Sequence, residues 1–113
     1  MDFDPTRQEL RPVPTTKVAE RQAKRASLDV RVRTEAARIL AQRGISPGGR
    51  EFDRQFQGRD NLIILKTAID REITAAVGTN KKRSDYSRQD LDMVDERFAA
   101  LVSLAAQKVI DGS

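Results

Sequence analysis

The chain has 113 residues, 34% of them charged and 4% aromatic, with a formal net charge of +4 and neither His nor Cys. Without imidazole or thiolate, most ready-made catalytic, metal-binding and redox constellations are excluded, and a 38% apolar content supports one modest core rather than two. The expectation is a non-enzymatic binding or scaffolding protein with no cofactor, no metal and no small-molecule substrate.

Residues 1–15 hold three of the four prolines, Pro5, Pro12 and Pro14, which fix backbone angles and remove amide donors. An extended, poorly ordered arm is expected there, and its Phe3, Leu10 and Val13 are candidates for lying along a groove of a partner or sister subunit. Residues 16–113 read as a single all-α domain, a small bundle of three to four helices.

No Pro or Gly interrupts residues 16–43, which are rich in Ala, Arg and Glu; Thr15 or Thr16 suits the N-cap and Gly44 a left-handed stop. Ala19, Ala23, Ala26 and Val30 share one face, opposite Lys17, Arg21, Lys24 and Arg31; after Ser27 the apolar face moves to Val32, Ala36, Ile39 and Leu40. Either one long helix changes partners midway, or it bends or breaks near Ser27, Leu28 and Asp29.

The turn Ile45-Ser46-Pro47-Gly48-Gly49 leads into an expected short helix over 50–57, with Phe52 and Phe56 one turn apart and facing inward. Gly58-Arg59-Asp60 reads as a second turn, with Asp60 capping a helix over 61–77 whose stripe is Leu62, Leu65, Ile69, Ile73 and Ala76, closed by Gly78. Ile63 and Ile64 fall outside that stripe, so the start of this helix is expected to be covered on more than one side. Residues 78–86 form a polar connection containing Lys81, Lys82 and Arg83. Ser87 and Asp90 then resemble a capping box for a last helix over 88–110. Its seam, Leu91, Val94, Phe98, Leu101, Ala105 and Val109, needs a packing partner and is the expected oligomer interface.

Charge is unevenly placed: residues 1–50 carry 11 Lys or Arg against 6 Asp or Glu, and residues 51–113 carry 10 against 11. A basic half suggests contact with a polyanion. Lys17, Arg21, Lys24, Arg25, Arg31, Arg59, Lys81, Lys82 and Arg83 are the candidate nucleic-acid-binding residues, gripping the phosphates of duplex DNA through a basic helix and loop. With no aromatic residue in the basic segment, stacking on single-stranded bases is not expected. The order of helices ending at 43, 57 and 77 is that of a helix-turn-helix unit, although any small bundle contains it. Asp92 and Glu96, four apart, read as a solvated helix start rather than as a cation site or an acid/base pair. The glycine-rich turn lacks the strand and the Gly-Lys-Ser or Gly-Lys-Thr ending of a phosphate loop.

The acidic opening residues lack the apolar core of a signal peptide, and the longest apolar runs, 62–65 and 99–106, are far below the roughly 20 residues needed to span a bilayer. A cytoplasmic protein without membrane contact is expected. Two functional readings remain: a nucleic-acid-associated helical protein, and a helical adaptor or assembly subunit that docks onto a protein partner or a second copy of itself.

Overall fold

A computed structural model describes residues 13–112, with side chains from residue 19 onward. Most of the arm, residues 1–12, lies outside the described residues.

Helix α1 runs from Val13 to Gln42, three residues earlier than expected. Pro14 is accommodated because an amide in the first turn of a helix has no intrahelical acceptor to lose. Thirty residues make α1 roughly 45 Å long. It is continuous through Ser27, Leu28 and Asp29, which resolves the choice between one helix and two. Its second half supplies the core through Leu28, Val32, Ala36, Ile39 and Leu40. Ala19, Ala23, Ala26 and Val30 remain exposed. The stop at Gly44 has a chemical basis: at φ +67° it lets its own amide reach the Ala41 carbonyl (3.2 Å) while the Ile45 amide reaches that of Leu40 (2.9 Å). This pair of bonds is a Schellman motif, and Ile45 packs back on the core beside it.

Helix α2, Asn61–Val77, is capped by Asp60, whose carboxylate accepts from the Ile63 amide (2.9 Å), and ends at Gly78. Leu65, Ile69 and Ile73 are fully buried, and Leu62 packs against the core from its edge. Ile64 is half-buried, but Ile63 is exposed, so nothing among the described residues covers that side.

The connection contains a single 3-10 turn, Arg83–Asp85, and is less polar than its composition suggests, because Tyr86 is among the largest fully buried side chains. Helix α3, Arg88–Ala106, starts on the expected capping box: Ser87 Oγ accepts from the Asp90 amide (3.1 Å) and Asp90 accepts from the Ser87 amide (3.0 Å). It continues into a π-helical turn over Gln107–Asp111.

The three helices share one core, to which α3 contributes Leu91, Val94, Phe98, Val102, Ala105 and Ala106. Most of these positions were expected to form an oligomer interface. Leu91, Val94, Phe98 and Ala105 are buried within the chain, with Leu101 and Val109 partly buried against the same cluster, so the seam is satisfied internally by α1 and α2. Val102, four residues after Phe98, takes the central place expected for Leu101. Among the described residues there is no strand, and no helix is long and apolar enough to cross a membrane.

Candidate functional site

The structure brings most of the basic residues together at one end of the bundle. Arg25 donates to the Tyr86 carbonyl (3.4 Å), which holds α1 against the connection, and Arg21, Lys24 and Arg88 line one shallow hollow together with Glu20. Much of this charge is already neutralised inside the chain. Lys24 pairs with Asp92 (3.1 Å), Lys81 with Asp90 (2.7 Å), and Arg31 with Asp95 (2.6 Å) while its guanidinium lies 4.2 Å from the centre of the Phe98 ring. Arg83, only 21% exposed, bridges Asp29 of α1 (2.5 Å) and Asp70 of α2 (2.9 Å) beside the Tyr86 ring. It ties helices together rather than pointing outward. Lys82 is exposed and unpaired among the described residues, and the Lys17 side chain lies outside them. Arg59 is separated from the rest, since it precedes α2 while Lys81, Lys82 and Arg83 follow it, about 25 Å of helix away.

The pair with Lys81 changes the titration of its acid. The Asp90 carboxyl is held below the usual carboxylate range by the hydrogen bond from Lys81, and next by the Ser87 amide. Asp92 is paired with Lys24. Among the described residues no group of three or more carboxylates could hold a metal ion. A groove of about 450 Å³ between the C-terminal halves of α1 and α3 is likewise self-neutralised, by Arg43 with Asp111 and Arg38 with Glu35.

The opposite end of α2 is different. Residues 50–57 are not helical, which removes the first helix of the supposed helix-turn-helix unit. The cause is competition for amides by side chains. Asp53, 7% exposed, accepts from the Gln57 amide (3.0 Å) through one carboxylate oxygen and from the Gly58 amide (2.8 Å) through the other. Asn61, fully buried, accepts from the Phe52 amide (3.0 Å) and donates to the Ser46 carbonyl (2.9 Å) and to Glu51 Oε1 (2.6 Å). The Asn61 and Leu62 amides reach back to the carbonyls of Gly49 (2.8 Å) and Pro47 (3.1 Å). Loop 44–60 is therefore a hydrogen-bonded framework welded to the start of α2.

One consequence is the placement of the two phenylalanines. Phe52 packs against the core as expected, but Phe56 is 91% exposed. Its φ of +55° is a left-handed conformation that costs a bulky residue about 1–2 kcal/mol. Beside the ring lies an open hollow of about 270 Å³ lined by Arg50, Asp53, Phe56 and Gly58. That is below the size of a drug-like pocket. Sequence reading missed this feature because Phe52 and Phe56 have helical spacing. The available signal was Asp53 placed five residues before Gly58: a short carboxylate ahead of a glycine can close a loop on its own amides. Comparison with known families, curated proteins and solved structures returned no match to this chain.

Proposed function

We propose that this chain is a non-enzymatic helical adaptor of the cytoplasm, which docks onto a protein partner through loop 44–60. The observation that carries the reading is Phe56: an aromatic ring almost fully in water, on a backbone held in an unfavourable conformation by a buried carboxylate and a buried amide. A large ring gains more when buried than exposed, and local strain of this kind is retained where the surroundings over-determine it. Aromatic and arginine side chains are also the ones that dominate protein interfaces.

A nucleic-acid-associated role is the second reading. Its support is the gathering of Arg21, Lys24, Arg25 and Arg88 beside the 78–87 connection, with Lys82 left unpaired. The ion pairs of Lys24, Lys81 and Arg83 weigh against it, because each must be broken or shared before a phosphate can be bound.

Titration with short duplex DNA at about 50 and about 200 mM salt separates the two readings. The adaptor reading expects no saturable binding at the higher salt. Micromolar or tighter binding that falls steeply with salt and weakens on neutralising Arg21, Lys82 and Arg88 together would transfer the function to the basic end.

A further inference from the structure

The side of α1 turned away from the bundle reverses the usual pattern of a surface helix, which puts its charges in water. At about 100° per residue, Ala19, Ala23, Ala26, Val30, Ala37 and Ala41 share that side with Ser27, Thr34 and one charged residue, Arg33, and all of them are exposed. In a chain with 34% charged residues, this leaves a face about 33 Å long with a single charge. Charged residues line its edges instead. Lys24 and Arg31 reach α3 through Asp92 and Asp95 on one edge, and Asp29 on the other receives Arg83, which also holds Asp70 of α2. Val30, at the middle of the face, is 65% exposed, and residues 19–27 include no buried side chain. A helical stretch of that length is marginal in water without a packing partner.

The face reads nearly alike from either end. Outward from Val30, Ala23 matches Ala37, Ala19 matches Ala41, Ala26 matches Thr34 and Ser27 matches Arg33. We infer that two copies of this chain pair through α1, antiparallel, about a twofold axis at Val30. The first half of each helix then lies on the second half of the other, which its own bundle supports. Small side chains let the two helices approach to about 8 Å. Charge selects a second copy in this orientation, because a twofold axis through the face brings each edge against the same edge of the other copy. Along the edge nearer α3, Glu20 comes within two residues of the second copy's Arg38; along the edge nearer α2, Arg33 comes within two residues of its Asp29. Glu20 and Arg33 make no ion pair among the described residues, Arg38 holds only Glu35 of its own helix, and Asp29 is 63% exposed beside Arg83. The like charges that approach across the axis are already matched: each Asp29 carries Arg83 and each Arg31 carries Asp95. A parallel pair would instead set Glu20, Arg33 and Arg38 each against its own copy. A contact of these dimensions buries roughly 1,000 Å² in total, the range of weak complexes, so the pair forms at micromolar concentrations. It goes beyond the adaptor reading and does not rest on loop 44–60.

The test is sedimentation equilibrium of the full chain from about 1 to about 500 μM, with disulfide linkage as a second measurement. The expected mass rises from one chain to two, and less steeply with added salt. Val30→Glu sets two carboxylates against each other at the axis and should weaken the pair at least about tenfold, while the helical spectrum of the single chain holds because the position is exposed. Glu20→Arg and Arg38→Glu should each weaken it, and the two together should restore it. The chain has no cysteine of its own, so single substitutions report the register. Val30→Cys should oxidise to a linked dimer, and a mixture of Ala23→Cys and Ala37→Cys should link to each other in preference to themselves. If Val30→Glu loses its helical spectrum, the linkage pattern decides. A mass of one chain throughout, or a dimer that survives Val30→Glu, overturns the inference. So does Ala23→Cys linking to itself in preference to Ala37→Cys, or a double charge swap that fails to restore the pair. A Val30-dependent mass above two chains overturns the closed twofold pair.

Discussion

The two ends of α2 use charged residues in opposite ways. At its C-terminal end the acids of α1, α2 and α3 pair with cations of neighbouring segments, as Arg83 does with Asp29 and Asp70, and the charges serve cohesion. At its N-terminal end the acids pair with amides of their own loop, as Asp53 does with Gln57 and Gly58, and Arg50 and Arg54 are left facing water. Formal charge along the sequence is therefore a poor guide: Lys24, Arg31, Arg38 and Arg43 of the more basic half are tied into ion pairs, whereas Arg50 and Arg54, in a loop of balanced charge beside an exposed ring, make none among the described residues.

The contrast predicts a ranking of substitutions. Asn61→Ala should have the largest effect, a loss of about 3 kcal/mol in urea denaturation, because it strands the Phe52 amide and the Ser46 carbonyl and unseats the loop from α2. A loss below about 1 kcal/mol would mean that the framework is not a structural unit. Arg83→Ala should cost about 1–2 kcal/mol, since it removes a half-buried tie between α1 and α2; an unchanged stability would place Arg83 among the free surface cations, where the DNA reading needs it. Lys24→Ala should cost only about 0.5 kcal/mol, and less at high salt, because both partners of its ion pair are substantially exposed.

Phe56→Gly should have the smallest effect on stability. Relief of the left-handed strain offsets the added backbone entropy of glycine, so the melting temperature should hold or rise slightly. A buried phenylalanine truncated in a core loses about 3–5 kcal/mol, and a loss of that size here would show that the ring packs on something within the chain.

Acid also distinguishes the ends. The folded-state affinities of Asp53 and Asp90 for protons are both lowered, Asp53 first by the Gln57 amide and Asp90 first by Lys81. Each therefore contributes stability that is present above the ordinary carboxylate pKa near 4 and is lost as pH falls through the folded value. Protonating Asp53 frees the Gln57 and Gly58 amides, so chemical shifts in 53–58 and at the start of α3 should hold until the pH falls below the ordinary carboxylate range, and then change before the core unfolds. Simultaneous change throughout the chain would contradict local control by these two groups.

The helical architecture was largely legible in the sequence because it rests on local chemistry. Gly44, Asp60, Gly78 and the Ser87 and Asp90 pair act within a turn of where they stand, and periodic apolar residues mark the buried sides of α2 and α3. What was not legible depends on contacts across the chain. Helical spacing made Phe52 and Phe56 look alike, and only the Asp53 and Asn61 hydrogen bonds separate them. The α3 seam could not reveal whether α1 and α2 or a second chain would cover it. The cations of α1 looked free because their partners, Asp92 and Asp95, are more than sixty positions away.

The central claim is that Phe56 is held out in water by a fixed framework rather than left on a slack loop. Amide hydrogen exchange at Phe52, Gln57 and Gly58 measures this directly. Slow exchange at all three, collapsing at Gln57 and Gly58 in Asp53→Ala while α2 stays protected, is the predicted result. Exchange at unfolded-chain rates in the wild-type protein would contradict it, because an unconstrained loop would present no built surface to a partner.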